Sequence, residues 1–272
     1  METFTAEQFE IIDAHTHIYP EKISQKATDA IGDFYDIKMY SNGSSEALIE
    51  NGKRIGVKKY LVCSAATIPS QVESINNFIM EETKLHSEFF PFGTMHADYE
   101  NIGDEIDRMV EMGFKGIKLH PDFQKFDIDS ENAYKIYEAA EGRLPILFHM
   151  GDDRYDFSKP HRLKRVLSDF KNLKVLAAHF GGYRCWEEAK ESIGRHPNVR
   201  FDTSSSLPMI SREMAKGLID YYGVENMFFG TDFPMWSATE ELERFFSLGL
   251  SFEDNRKIFS ENFKEFFGIE KL

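Results

Sequence analysis

Cysteine is nearly missing from this 272-residue chain: only Cys63 and Cys185 occur, too few for a disulfide framework or a thiolate-rich zinc site. That usage predicts a reducing compartment. The N-terminal METFTAEQFE lacks the basic start and apolar centre of a secretion signal. No stretch approaches the roughly 18 apolar residues a membrane span needs, so a cytoplasmic protein without a membrane partner is expected. Basic residues are in deficit, 32 Lys and Arg against 46 Asp and Glu, and the formal charge of −14 repels nucleic-acid backbones. Neither a G-x-G-x-x-G turn nor a P-loop lysine motif is present, which disfavours an open dinucleotide-binding sheet.

Apolar material is plentiful, at 42% hydrophobic and 14% aromatic, enough for a full-sized core. No low-complexity linker or charge block marks a boundary, so residues 1–272 are expected to form one domain. Short β-type runs recur at Phe9–His15, Lys59–Ser64, Phe89–Met95, Phe114–His120, Pro145–His149, Leu173–His179, Val199–Thr203 and Asn226–Asp232. Between them lie segments of helical period, such as Asp104–Met112, which stops at Gly113. Ser130 reads as an N-cap, and Pro160 and Pro208 sit where helix first turns would begin. Strands alternating with helices predict parallel pairing through helical crossovers, closed as an α/β (β/α)8 TIM barrel with its functional groups at the C-terminal strand ends.

Histidine collects at those ends. In Asp13-Ala14-His15-Thr16-His17 strand alternation puts His15 and His17 on one face, where both can reach one cation, with Asp13 placed to orient a ligand. His96, His120, His149 and His179 also fall at predicted strand ends, as does Asp232, whereas His86, His161 and His196 do not. Imidazole plus carboxylate without thiolate suits a catalytic divalent ion with open positions, and hydrolysis is the leading chemistry.

These residues resemble the amidohydrolase superfamily, in its family 2 branch of lactonases, other hydrolases and non-oxidative decarboxylases. The likeness rests on Ile12-Asp13-Ala14-His15-Thr16-His17, Gly113 through Pro121 around Lys118 and His120, Phe148-His149-Met150-Gly151, Ala178-His179-Phe180-Gly181-Gly182, and Gly230-Thr231-Asp232-Phe233-Pro234. It implies the distorted barrel of metal-dependent hydrolases. It also implies that His15, His17, His149 and Asp232 bind one divalent metal, expected to be zinc. His179 then serves as general base or electrophile, and Asp232 doubles as proton acceptor. Lys118 resembles the lysine that binuclear members carboxylate to bridge two metals; otherwise it is a buried cation paired with a carboxylate such as Asp13. His120 is expected at substrate or water.

Arg154 and Arg184 follow the fifth and sixth strands and are candidates for holding a substrate carboxylate; Cys63 and His96 lie at strand ends near the same groups, and Ser204-Ser205-Ser206 reads as a turn or as hydrogen-bonding groups at that rim. The expected reaction is hydrolysis of a small ester, lactone or amide. The alternatives are decarboxylation of a small unsaturated or aromatic acid, and a catalytically silent metal-binding barrel. The helical Ile258–Phe267 run packs on the barrel or, through its aromatic face, supports a homodimer.

Overall fold

The computed structural model describes residues 4–270. Its strands are β1 (Ile11–His17), β2 (Val57–Cys63), β3 (Phe89–Thr94), β4 (Gly116–Leu119), β5 (Ile146–Phe148), β6 (Val175–Ala177), β7 (Val199–Asp202) and β8 (Met227–Phe228). They form one eight-stranded sheet in chain order, with helices between successive strands: the (β/α)8 TIM-barrel fold that the alternation predicts. Each strand lies within one of the predicted runs or overlaps it by most of its length.

The described chain divides into two compact units, 4–62 with 202–270 and 63–201. In the second unit the strands pair in parallel, Gly93 against Ile117, Lys118 against Leu147, Leu147 against Leu176 and Leu176 against Arg200. Gly116 opens β4 because a Cβ there would stand 2.3 Å from the Phe92 ring. The helix Ile102–Met112 buries Ile106 and Met109 and ends at Gly113, whose φ of +93° supplies the left-handed cap. Ser130 accepts from Ala133 N at 3.3 Å, and Pro160 opens the helix Pro160–Asp169, both as expected.

In the first unit the chain beyond β8 runs on alongside β1. Ala14 N donates to Phe229 O at 2.9 Å, Asp232 N to His15 O at 2.9 Å and His17 N to Phe233 O at 2.7 Å. Packing beneath these strands is aromatic: Phe229, Phe245 and Phe259 lie with ring centroids 4.8–5.6 Å apart. The C-terminal apolar run is helical but widens by one turn over Lys257–Glu261. Pro208 does not open a helix. It lies in a turn, and the next helix starts at Arg212 because Ser211 accepts from Met214 N at 3.1 Å and caps it.

Asn262 ties the last helix to the strand before the site, its Nδ2 donating to Val224 O at 2.7 Å and Met227 O at 2.9 Å. Removing both donors strands carbonyls that have little water to turn to. Asn262→Ala is expected to cost about 1–3 kcal/mol in urea unfolding; an unchanged midpoint would show that the tie is idle.

Candidate metal centre

His15 is buried completely at the end of β1. Its Nδ1 lies 3.0 Å from Asp202 Oδ2 and 3.0 Å from Ser204 Oγ, while Ser204 Oγ donates to Asp202 Oδ1 at 2.5 Å. A carboxylate only accepts, so Nδ1 carries a proton, and in the neutral imidazole Nε2 is then the lone pair. That lone pair lies 3.6 Å from Asp232 Oδ1, and His17 Nε2 lies 3.2 Å from the same oxygen. Donors held about 2.1 Å from one tetrahedral ion stand about 3.4 Å apart, so the spacing of these three groups suits a divalent cation. The donor set, two imidazoles and a carboxylate within 4.8 Å of one another, fits as well.

Asp13 orients no imidazole. Its Oδ1 accepts from Thr231 N at 2.9 Å and its Oδ2 from Thr231 Oγ1 at 2.6 Å, so it fixes the turn that presents Asp232. Asp202, which the sequence placed at a strand end without a role, is the residue that orients His15. Gly230 permits the close approach, since a Cβ there would meet His15 Cβ at 3.0 Å and Ser204 Cβ at 3.3 Å.

In the second unit His149 Nδ1 and His179 Nε2 are 3.0 Å apart and share one proton. His179 sits at φ +61° and Phe180 at +53°, a conformation most side chains avoid, and Trp186 Nε1 donates to His179 O at 3.1 Å to hold it. Gly151, at φ +76°, is required here, because a Cβ would stand 2.7 Å from Tyr183 N, which donates to Met150 O at 2.6 Å. His120, Asp122 and His149 also offer donor atoms within 4.8 Å. The His120 and His149 rings, however, are stacked 3.9 Å apart at 9°, which puts their lone pairs in separate parallel planes, and one ion cannot lie in both. His120 Nδ1 accepts from Phe123 N at 3.3 Å, which puts the proton of the neutral ring on Nε2.

Lys118 is fully buried on β4, as its shared parity with His120 requires. Arg154 is not available to a substrate carboxylate: its Nε and Nη2 are spent on the buried Asp152 at 2.9 and 2.7 Å. Arg184 is exposed, its guanidinium 5.4 Å from the centre of the Tyr183 ring. His96 Nδ1 accepts from Asp98 N at 3.1 Å, and burial lowers its pKa. Cys63 is buried.

The Amidohydrolase family model matches residues 12–269. The chain belongs to the amidohydrolase family. No curated protein matches this amidohydrolase by sequence. Among solved structures it is similar to an uncharacterised TIM-barrel protein from Bordetella bronchiseptica, at 18% identity and TM-score 0.78, covering 96% of this chain and 99% of that one. It is also similar to dihydroxybenzoic acid decarboxylase from Polaromonas sp. JS666 with bound manganese and 2-nitroresorcinol, at 13% identity, TM-score 0.73, and 97% and 98% coverage. A third is a Pseudomonas putida protein provisionally assigned as a 2-pyrone-4,6-dicarboxylic acid hydrolase, at 14% identity, TM-score 0.70, and 97% and 99% coverage. At these identities the likeness establishes the fold.

Buried carboxyls surround the amidohydrolase's first-unit triad. Burial pushes Asp13 up to about 7 against the pull of Thr231, and pushes Glu241 up to about 8 despite Arg244 Nη1 at 2.5 Å. A raised carboxyl holds its proton in the folded state while the unfolded chain has lost it. Its contribution therefore falls as pH rises from the usual carboxylate range through 8. Glu241→Gln removes that slope. Thermal melts of chelator-treated protein should show the variant gaining on wild type between pH 5 and 8 and levelling off above; a pH-independent difference would refute the assignment.

Proposed function

We propose that this amidohydrolase is a divalent-metal-dependent hydrolase of a small ester, lactone or amide. The observation that carries the reading is the convergence of the His15 Nε2 lone pair, His17 Nε2 and Asp232 Oδ1, with Asp202 fixing the His15 tautomer. We add His149 to that set, so that His15, His17, His149 and Asp232 would be the ligands. A bound divalent ion would polarise an acyl carbonyl and lower the pKa of water. Zinc suits the donors, and the manganese in the Polaromonas neighbour makes that ion an equal choice.

The protein groups do the rest. The proton shared between His149 Nδ1 and His179 Nε2 makes this pair the candidate carrier of a substrate proton, with His179 as general base or electrophile. Asp232 is the second proton acceptor of the family set. His120 Nε2–H is a donor suited to a substrate oxygen, and Arg184 is an exposed cation suited to a substrate carboxylate. Lys118 stays in reserve as a carboxylated bridge to a second ion. Decarboxylation of a small aromatic acid is the second reading, favoured by the several decarboxylases among the structural neighbours.

Elemental analysis of chelator-free protein should give about one equivalent of zinc or manganese, lost in His15→Ala. Two equivalents would promote Lys118, and none after adding ions back would sink the metal-dependent reading. Turnover in ¹⁸O-water then separates the chemistries: label in the product acid supports hydrolysis, whereas carbon dioxide release with an unlabelled organic product supports the lyase. Full loading with no turnover of either substrate class would make the protein a silent metal-binding barrel.

A further inference from the structure

Asp232 is held at Oδ2, the oxygen other than the one near the imidazoles. Ser205 Oγ contacts Asp232 Oδ2, and Trp236 Nε1 donates to Ser205 Oγ at 2.9 Å. The direction of this chain is forced. An indole nitrogen can only donate, so Trp236 occupies a lone pair of Ser205, and the hydroxyl proton must go outward. The two acceptors within reach are Asp232 Oδ2 and Met235 Sδ, the latter at 3.3 Å and a weak acceptor, so the carboxylate receives it. With Oδ2 filled, Oδ1 is the oxygen that faces His15 Nε2 at 3.6 Å and His17 Nε2 at 3.2 Å.

The surroundings hold this arrangement rigidly. Ser205 is 1% exposed and sits at φ +48°, and Asp232 sits at φ +57°, a conformation that side-chain-bearing residues keep only where their neighbours impose it. The Arg244 guanidinium lies 5.8 Å from the centre of the Trp236 ring, and Arg244 is itself tied to the buried Glu241 at 2.5 Å. The helix Ala238–Phe246 thus supports the indole that aims the serine.

We propose that Ser205, aligned by Trp236, is the positioning residue that makes Asp232 a one-oxygen ligand and reserves Oδ1 for the divalent ion. The inference rests on the metal-centre reading above. Without the serine proton, Oδ2 is free to compete for the ion, and the carboxylate can turn or chelate through both oxygens. Metal affinity and coordination geometry then change together.

Ser205→Gly is the cleanest test, because glycine accepts φ +48° and removes only the hydroxymethyl group. Trp236→Phe keeps an aromatic ring, a smaller one, and deletes the N–H. Each chelator-stripped protein is titrated with Co²⁺ against a competing chelator, and its visible absorption is recorded, with circular dichroism as the check on folding. Both variants are expected to fold and to bind Co²⁺ more weakly, Ser205→Gly by roughly tenfold or more, with an altered Co²⁺ band. Wild-type affinity and spectrum in folded Ser205→Gly would overturn the proposal while leaving the metal centre standing. Failure of wild type itself to bind Co²⁺ would overturn both. If Ser205→Gly does not fold, Trp236→Phe decides, and an unchanged affinity and spectrum there would overturn the proposal.

Discussion

One hydrogen bond fixes how the buried His15 presents its ring. His15 Nδ1–H donates to Asp202 Oδ2 at 3.0 Å inside a buried corner, and that bond turns a histidine of undetermined tautomer into a lone-pair donor aimed at Asp232. Reverse the tautomer and Nε2 carries a proton, the carboxylate meets a hydrogen-bond donor, and no cation is needed. The Asp202 carboxylate is itself fixed by Ser204 Oγ at 2.5 Å and Ser204 N at 3.1 Å, so the imidazole cannot reorient without breaking a second set of bonds.

The fold accepts local cost to keep these groups in place. His179, Ser205 and Asp232 all occupy left-handed backbone at about 1–3 kcal/mol each, and Asp13 and Glu241 are carboxyls pushed up by burial. Such features survive where packing over-determines them. The aromatic layer of Phe229, Phe245 and Phe259, and the pinning of Asn262 to the start of β8, supply that rigidity in the first unit. Left-handed backbone also occurs at Asp36 and Lys125, where it closes a helix, whereas at His179, Ser205 and Asp232 it aims a functional group.

The strands were legible because each is a short apolar run bounded by polar or small residues, and the pairing of His15 with His17 followed from strand alternation alone. Asp232 was legible as a carboxylate at a strand end. The partners that give these residues their function were not. Asp202 meets His15 across 187 positions and Thr231 meets Asp13 across 218, separations at which sequence pattern carries no pairing signal. Arg154 offered the right chemistry at the right strand end, but its own neighbour Asp152 had already claimed the guanidinium. Pro208 carried a helix-start signal that Ser211 outcompeted with a real cap. Ser205 looked like turn chemistry because nothing local announces that Trp236 forces its proton toward Asp232.

The central claim is that a divalent ion is held by His15 through Nε2, with His17 and Asp232. Anomalous diffraction from crystals grown with Mn²⁺, recorded on both sides of the manganese edge, addresses it directly. The expected result is a difference peak bonded to His15 Nε2, His17 Nε2 and Asp232 Oδ1, with His15 Nδ1 still on Asp202. A peak at other residues, or one bonded to His15 through Nδ1 with Asp202 displaced, would contradict it.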